Sequence, residues 1–280
     1  MLPISAHGTT FPGRRDVNQD DILHFYPSPD SFFLGVADGM GGVAGGQIAS
    51  QTVLQTVETH LDEEFEEDVS PDMLKDILGE AFEKAQASIR EITDQDPSLE
   101  GMGTTLTCVL GCQNCFIAGN LGDSRVYYLS EGEIHQVTED HSYLRQFEKE
   151  AGDQDIDPEF VEQYGHIINK TLDGTDDEPD FFPKDRPHYE LAEKDGFLLC
   201  SDGLIVDKLQ DQKQLFKSYM LGTPDLQTAA ESLVSLAYYS GSTDNISAVL
   251  AEAGTLEREL GRVRTYPFPP REEEEEEPAA

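Results

Sequence analysis

Two stretches of the chain run apolar and then stop on the same dipeptide. Phe32-Phe33-Leu34-Gly35-Val36-Ala37 leads into Asp38-Gly39, and Phe197-Leu198-Leu199-Cys200-Ser201 leads into Asp202-Gly203. Continuous rather than alternating apolarity over so short a span predicts a strand covered on both faces. Each strand then delivers one carboxylate to a sheet edge, where glycine lets another group approach the backbone. Asp173-Gly174 and Asp195-Gly196 have no apolar run before them and read as turns.

Around these two strands the pattern predicts further elements. Residues 4–8 and 21–26 read as strands. Residues 44–65 read as a helix, with Ile48, Val53, Val57, Leu61 and Phe65 near one face. A second helix is expected over 71–92, with Ser70 as cap, Pro71 at the first helical position and Leu74, Ile77, Leu78, Ala81, Ala85 and Ile89 forming a core stripe. From residue 103 the period shortens: 104–110, 115–119, 125–129 and 133–137 are rich in β-branched and aromatic residues and are divided by Gly111, Gly122 and Gly132. They predict an antiparallel meander. Residues 141–190 are irregular, with a short helical piece at 142–151, and read as a flap or insertion. Helices near 208–220 and 224–239 and a strand over 245–251 follow. Strands and helices in separate blocks point to an α+β fold with sheet packed on sheet and helices outside.

Composition narrows the classes. The chain has 280 residues, 38% of them hydrophobic, which suits one large domain over 1–254. From 255 to 280 prolines and six consecutive glutamates at 272–277 predict a disordered acidic tail. Nineteen basic against 56 acidic residues give a formal charge of −37, which disfavours nucleic acid and anionic membranes as partners. No run of 18 apolar residues and no leader-like start are seen, so a cytoplasmic protein is expected. Cys112-Gln113-Asn114-Cys115 lacks a second pair and reads as a hairpin with thiols rather than a metal knuckle.

Polar groups recur at the strand ends: Arg15 to Asp20, Asp38-Gly39, Gly122-Asp123-Ser124-Arg125, Ser201-Asp202-Gly203 and Thr243-Asp244-Asn245. Carboxylates gathered at one sheet rim suit a hard divalent cation, which takes oxygen ligands. In this order the pieces Arg15-x-x-Asn18-Gln19-Asp20, Val36 to Gly42, Gly103-Thr104-Thr105-Leu106, Gly122 to Arg125, Asp140-His141-Ser142, Ser201 to Leu204 and Asp244 to Ser247 resemble the metal-dependent serine/threonine phosphatases of the protein phosphatase 2C (PPM) family, in its single-domain bacterial form.

The resemblance implies a β-sandwich of two antiparallel sheets flanked by helix pairs, with two Mn²⁺ or Mg²⁺ ions at one end. It makes Asp38 the bridging ligand, Asp202 and Asp244 ligands of the first ion, and the Gly39 carbonyl a ligand of the second, whose waters Asp20 holds. Asp123 matches the ligand of a weaker third ion in bacterial members, and Arg15 the phosphate-binding arginine. The expected reaction is hydrolysis of phosphoserine and phosphothreonine in proteins, the targets of a Ser/Thr kinase, by direct attack of a metal-activated water; a monomer is expected. A catalytically silent metal-binding relative and a hydrolase of another phosphate ester are the alternatives. The first should lack one of Asp38, Asp202 and Asp244, and none is lacking.

Two departures stand out. Met40 replaces the histidine that many eukaryotic members carry as a proposed general acid, and Gln19 replaces a glutamate. A structural role is expected for His141. The acids of the flap, Asp153, Asp155, Asp157, Asp173, Asp176, Asp177, Glu178 and Asp180, suggest a preference for phosphosites flanked by Lys or Arg.

Overall fold

A computed structural model describes residues 1–66, 68–151, 164, 167–206, 209, 211–255 and 268–269. The elements, in chain order, are β1 (Ile4–Phe11), β2 (Asp21–Phe25), β3 (Ser31–Ala37), β4 (Gly39–Met40), α1 (Gly42–Glu64), α2 (Leu74–Gln95), β5 (Gly103–Thr104), β6 (Leu106–Cys112), β7 (Cys115–Leu121), β8 (Arg125–Ser130) and β9 (Glu133–Gln136). They continue with α3 (Tyr143–Ala151), β10 (Asp180–Phe182), β11 (Tyr189–Glu190), β12 (Gly196–Cys200), α4 (Gln212–Gly222), α5 (Leu226–Ser240) and β13 (Ile246–Ala253).

Two antiparallel sheets face each other, in the orders β1-β13-β12-β8-β9 and β10-β7-β6-β3-β2, with β11 also on β7. Strand alternation explains the apolar runs. Phe32, Leu34 and Val36 of β3 point between the sheets, where they join Phe197 and Leu199 of β12 and Val249 and Ala251 of β13. Phe33 and Ala37 point outward and are covered by α1 and α2 through Val53, Val57, Leu61, Leu78 and Ala81. Leu198 and Cys200 point the other way, under Phe216 of α4 and Leu233 of α5. Each central strand is therefore buried on both faces, and the α+β sandwich flanked by helix pairs is the observed architecture.

Two local expectations need correction. The four strands after residue 103 are not one meander: β6–β7 is a hairpin in one sheet and β8–β9 a hairpin in the other. Each strand obeys the same period wherever it is placed, so the sequence does not reveal that the chain crosses between sheets at 122–124. Ser70 makes no side-chain cap; Pro71–Met73 forms a single 3₁₀ turn before α2. Cys112 and Cys115 pair across the β6–β7 hairpin as expected, with Gln113 and Asn114 in left-handed conformation at its tip. Residues 67, 152–163, 165, 166, 207, 208, 210, 256–267 and 270–280, with the first flap acids and most of the acidic tail, lie outside the described residues. Among those described, the Phe268 ring packs edge-on against Phe11, and no helix is long and apolar enough to cross a membrane.

Candidate metal centre

Strand registers bring the carboxylates to one end of the sandwich. In the outer pair β2–β3, Asp21 faces Ala37, so Asp20 and Asp38 emerge side by side. In the other sheet Phe11 faces Ile246, and Cys200 faces both Ala248 and Arg125. Asp202, Asp244 and Asp123 therefore leave their strands at the same level, Asp123 from the link that crosses between sheets. All six predicted acid and arginine positions, Arg15, Asp20, Asp38, Asp123, Asp202 and Asp244, border this region, and Gly39 is buried directly behind Asp38.

The glycines after the two acids are required by contact. A Cβ on Gly39 would lie 2.2 Å from the Gly46 carbonyl oxygen, and one on Gly203 would lie 1.9 Å from that of Asn245. Glycine thus lets the α1 N-terminus and the Asp244-Asn245 turn close on the carboxylates.

Hydroxyl and amide groups orient the set. Ser201 and Ser247 donate to Asp20 Oδ2 at 2.8 and 2.7 Å. The backbone N–H of Asp38 donates to Thr105 Oγ1 at 3.0 Å, and the Asp38 carbonyl accepts from Thr104 Oγ1 and the Thr105 N–H at 2.9 and 2.8 Å. Asn245 takes the Gln19 N–H at 2.9 Å and donates to Pro12 and Val17, which stitches the arginine loop to β13. Arg125 clasps Asp140 through three contacts of 2.6–3.1 Å immediately after Asp123. Arg15 reaches Asp244 Oδ2 at 2.8 Å and the Thr243 carbonyl at 3.1 Å; among the described residues its Nη1 is uncommitted.

Gln19 and His141 have structural work. Gln19 Nε2 donates to the Gly42 carbonyl at 2.7 Å, which holds the start of α1, and its own carbonyl accepts from Gly39. His141 Nδ1 accepts the Gly122 N–H at 3.1 Å, and its backbone bonds Gly122 and Asn169, joining the Asp123 link to the flap base. Of the described flap acids, Asp173 and Asp177 accept backbone N–H groups, Asp176 pairs with Arg90 while staying exposed, Asp180 pairs with Lys184, and Glu178 is exposed.

Burial leads the electrostatics, and like charges add to it. Burial, followed by Asp20, Asp202, Asp123 and Asp244, holds the Asp38 carboxyl well above the usual range. Burial, opposed by its serine donors, pushes Asp20 up to about 7, and burial with Asp202 pushes Asp123 up to about 7. Asp202 is raised by burial and Asp244, with relief from Asp38, Arg15 and Arg125. Like charges so close need a proton or a cation between them. Among the described residues Asp20 Oδ1 and Asp123 Oδ1 are buried without a hydrogen-bond partner. An oxygen-only donor set with orphaned lone pairs fits Mg²⁺ or Mn²⁺ and gives no soft ligand to Zn²⁺ or Cu⁺.

A sheet-end carboxylate cluster beside an exposed arginine defines a metal-dependent class of site suited to a phosphate group. The model of the protein phosphatase 2C family matches residues 8–236. The chain belongs to that family. It is 35% identical over 177 residues to the serine/threonine protein phosphatase PstP of Mycobacterium tuberculosis, an alignment covering 62% of this chain and 32% of that protein. It therefore spans about a third of the length of that relative. Protein phosphatase PhpP of Streptococcus pneumoniae is 32% identical over 159 residues, 56% of this chain and 60% of PhpP. The crystal structure of the PstP catalytic domain with two manganese ions superimposes with a TM-score of 0.75 at 32% identity, covering 91% of this chain and all of that one.

Residue identity read along the chain missed the orienting groups Ser201, Ser247 and Thr105 and the Arg125–Asp140 clasp. A hydroxyl interrupting an apolar strand beside an acid was the available signal.

Proposed function

We propose that the chain is a metal-dependent protein phosphatase acting on phosphoserine and phosphothreonine. The convergence of Asp20, Asp38, Asp123, Asp202 and Asp244 at one sheet end, with their raised carboxyls and orphaned oxygens, carries this reading. Asp38, Asp202, Asp244 and the Gly39 carbonyl would hold two ions, Asp20 would anchor waters around them, and Asp123 would serve a third. Bound there, Mn²⁺ or Mg²⁺ acidifies a water and neutralises phosphoryl charge. The two manganese ions of the PstP catalytic domain support that number and identity.

The protein's own groups do the rest. Arg15, anchored by Asp244 and Thr243, offers its remaining N–H groups to phosphate oxygens and so fixes the phosphoryl group over the carboxylates. Ser201 and Ser247 keep Asp20 turned inward, and Thr104 and Thr105 fix the backbone of Asp38. Met40 has no titratable group, so the leaving alkoxide takes its proton from solvent held at the site. In this reading residues 1–254 form the phosphatase unit, 255–280 a tail, and the substrates are cytoplasmic proteins phosphorylated by a Ser/Thr kinase.

Chelator-stripped protein titrated with Mn²⁺ should release phosphate from a phosphothreonine peptide only as metal is added. Asp38→Asn should lose on the order of 10³-fold in kcat/KM. Metal-independent release, or full activity in the variant, would overturn the assignment; bis-ester cleavage in place of monoester cleavage would favour the other phosphate ester.

A further inference from the structure

We propose that His60, Glu64 and Glu80 form a second metal site, selective for a borderline ion such as Zn²⁺, on the α1–α2 hairpin away from the phosphatase centre. His60 is 1% exposed, and its Nε2 lies 3.1 Å from the Ile77 carbonyl. Its Nδ1 lies 2.7 Å from Lys84 Nζ. An ammonium only donates, so Nδ1 must carry the lone pair and Nε2 the hydrogen that goes to Ile77. A histidine whose far N–H is held by a backbone carbonyl while its near nitrogen faces carboxylates has the orientation of a metal-ligating imidazole.

The other donors are in place. Glu64 lies one turn along α1 with Oε1 4.0 Å from Nδ1, and Glu80 of α2 brings a carboxylate oxygen within 4.8 Å of both. Among the described residues this is the one trio of histidine, cysteine or acidic donors that falls within that distance. Zinc bonds of about 2.0–2.2 Å require the donors to draw together by roughly 1 Å. Glu64 is partly exposed and Glu80 exposed, so rotamer changes can supply this while buried His60 stays fixed.

Lys84 reports the preference of the site. Its ammonium occupies the position on the imidazole lone pair that a metal would take, and Lys84 is exposed, so it can swing out. With neutral His60, two carboxylates and one ammonium the site carries one net negative charge; exchanging the ammonium for a divalent ion brings it to zero. An imidazole with two carboxylates suits Zn²⁺, whereas Mg²⁺ requires six oxygens. Bound metal would pin the C-terminal half of α1 to α2, on the helix whose first residue follows the catalytic Asp38 loop.

The test is calorimetric titration of Zn²⁺ into the full chain in saturating Mg²⁺, read as the difference between parent and variant so that Zn²⁺ taken up by the carboxylate centre cancels. The parent should take up a Zn²⁺ whose affinity falls at least about tenfold in Glu64→Gln/Glu80→Gln. Lys84→Met should bind more tightly than the parent, because no ammonium competes. Mg²⁺-dependent phosphate release should be unchanged in both variants. Zn²⁺ uptake equal in parent and double-glutamine variant would overturn the proposal, as would weaker binding in Lys84→Met or the absence of any Zn²⁺ uptake. The altered side chains are partly or fully exposed, so their outcome does not depend on the buried His60 tolerating replacement.

Discussion

Asp20→Asn should make the metal-free protein more stable at alkaline pH while damaging its metal site. Asp20 is 6% exposed, and burial raises its carboxyl from 3.8 to about 7. A carboxyl raised on folding costs nothing below its unfolded pKa, where both states hold the proton. As pH rises through that value the unfolded chain ionises first, and stability falls until the folded group ionises as well. The full cost, about 3 units at 1.36 kcal/mol each, is roughly 4 kcal/mol above pH 7. Between pH 5 and pH 8 it grows by roughly 2–3 kcal/mol.

Asparagine keeps the shape and an oxygen for Ser201 and Ser247 but cannot ionise. In thermal unfolding of chelator-stripped protein, the variant should gain on the parent by roughly 5–10 °C on going from pH 5 to pH 8, at 2–4 °C per kcal/mol for a domain of this size. Saturating Mn²⁺ should reverse the order, since the parent alone keeps the full donor set and ligand binding adds to its stability. Parent and variant curves that run parallel between pH 5 and pH 8 without metal would refute the claim that burial holds the Asp20 carboxyl up.

Other expectations follow from single contacts. Arg125→Lys keeps the charge but loses the fork on Asp140; unfolding should cost about 1.5–3 kcal/mol less free energy, and Mn²⁺ affinity at the Asp123 side should drop, measured by titration. Gly203→Ala forces a methyl onto the Asn245 carbonyl and should lower Tm by the equivalent of about 1–3 kcal/mol together with kcat, because Asp202 and Asp244 move with it. Ser247→Ala removes one of two hydroxyl donors to Asp20, which lifts that carboxyl further, so the acid limb of the pH–rate profile should move to higher pH at a stability cost of about 1 kcal/mol.

What could be read from the chain alone depended on how many constraints met at one residue. Asp38 and Asp202 were legible because a strand buried on both faces tolerates no unpaired charge until it ends, so an acid at that point is conspicuous. The helix stripes were legible because Val53, Val57 and Leu61, or Leu78, Ala81 and Ala85, face one surface whatever lies across from it. The assignment of β7 and β8 to different sheets was not, since a two-sided strand looks the same in either sheet and Gly122 marks a break without a direction.

The same reasoning separates ligands from the groups that aim them. A ligand must be an acid, and acids are rare inside a core, so five of them at strand ends identify themselves. An aiming group need only offer one hydroxyl, and Ser201, just past β12, and Ser247, inside β13, are places where a small polar residue costs little and excites no notice. Their partner, Asp20, is 181 and 227 positions away, a pairing that only the register of β12 and β13 creates. Gln19 makes the point in reverse: read as a lost carboxylate, it is the tether on Gly42 that sets where α1 begins, so restoring glutamate there would exchange a donor for a charge that the Gly42 carbonyl repels.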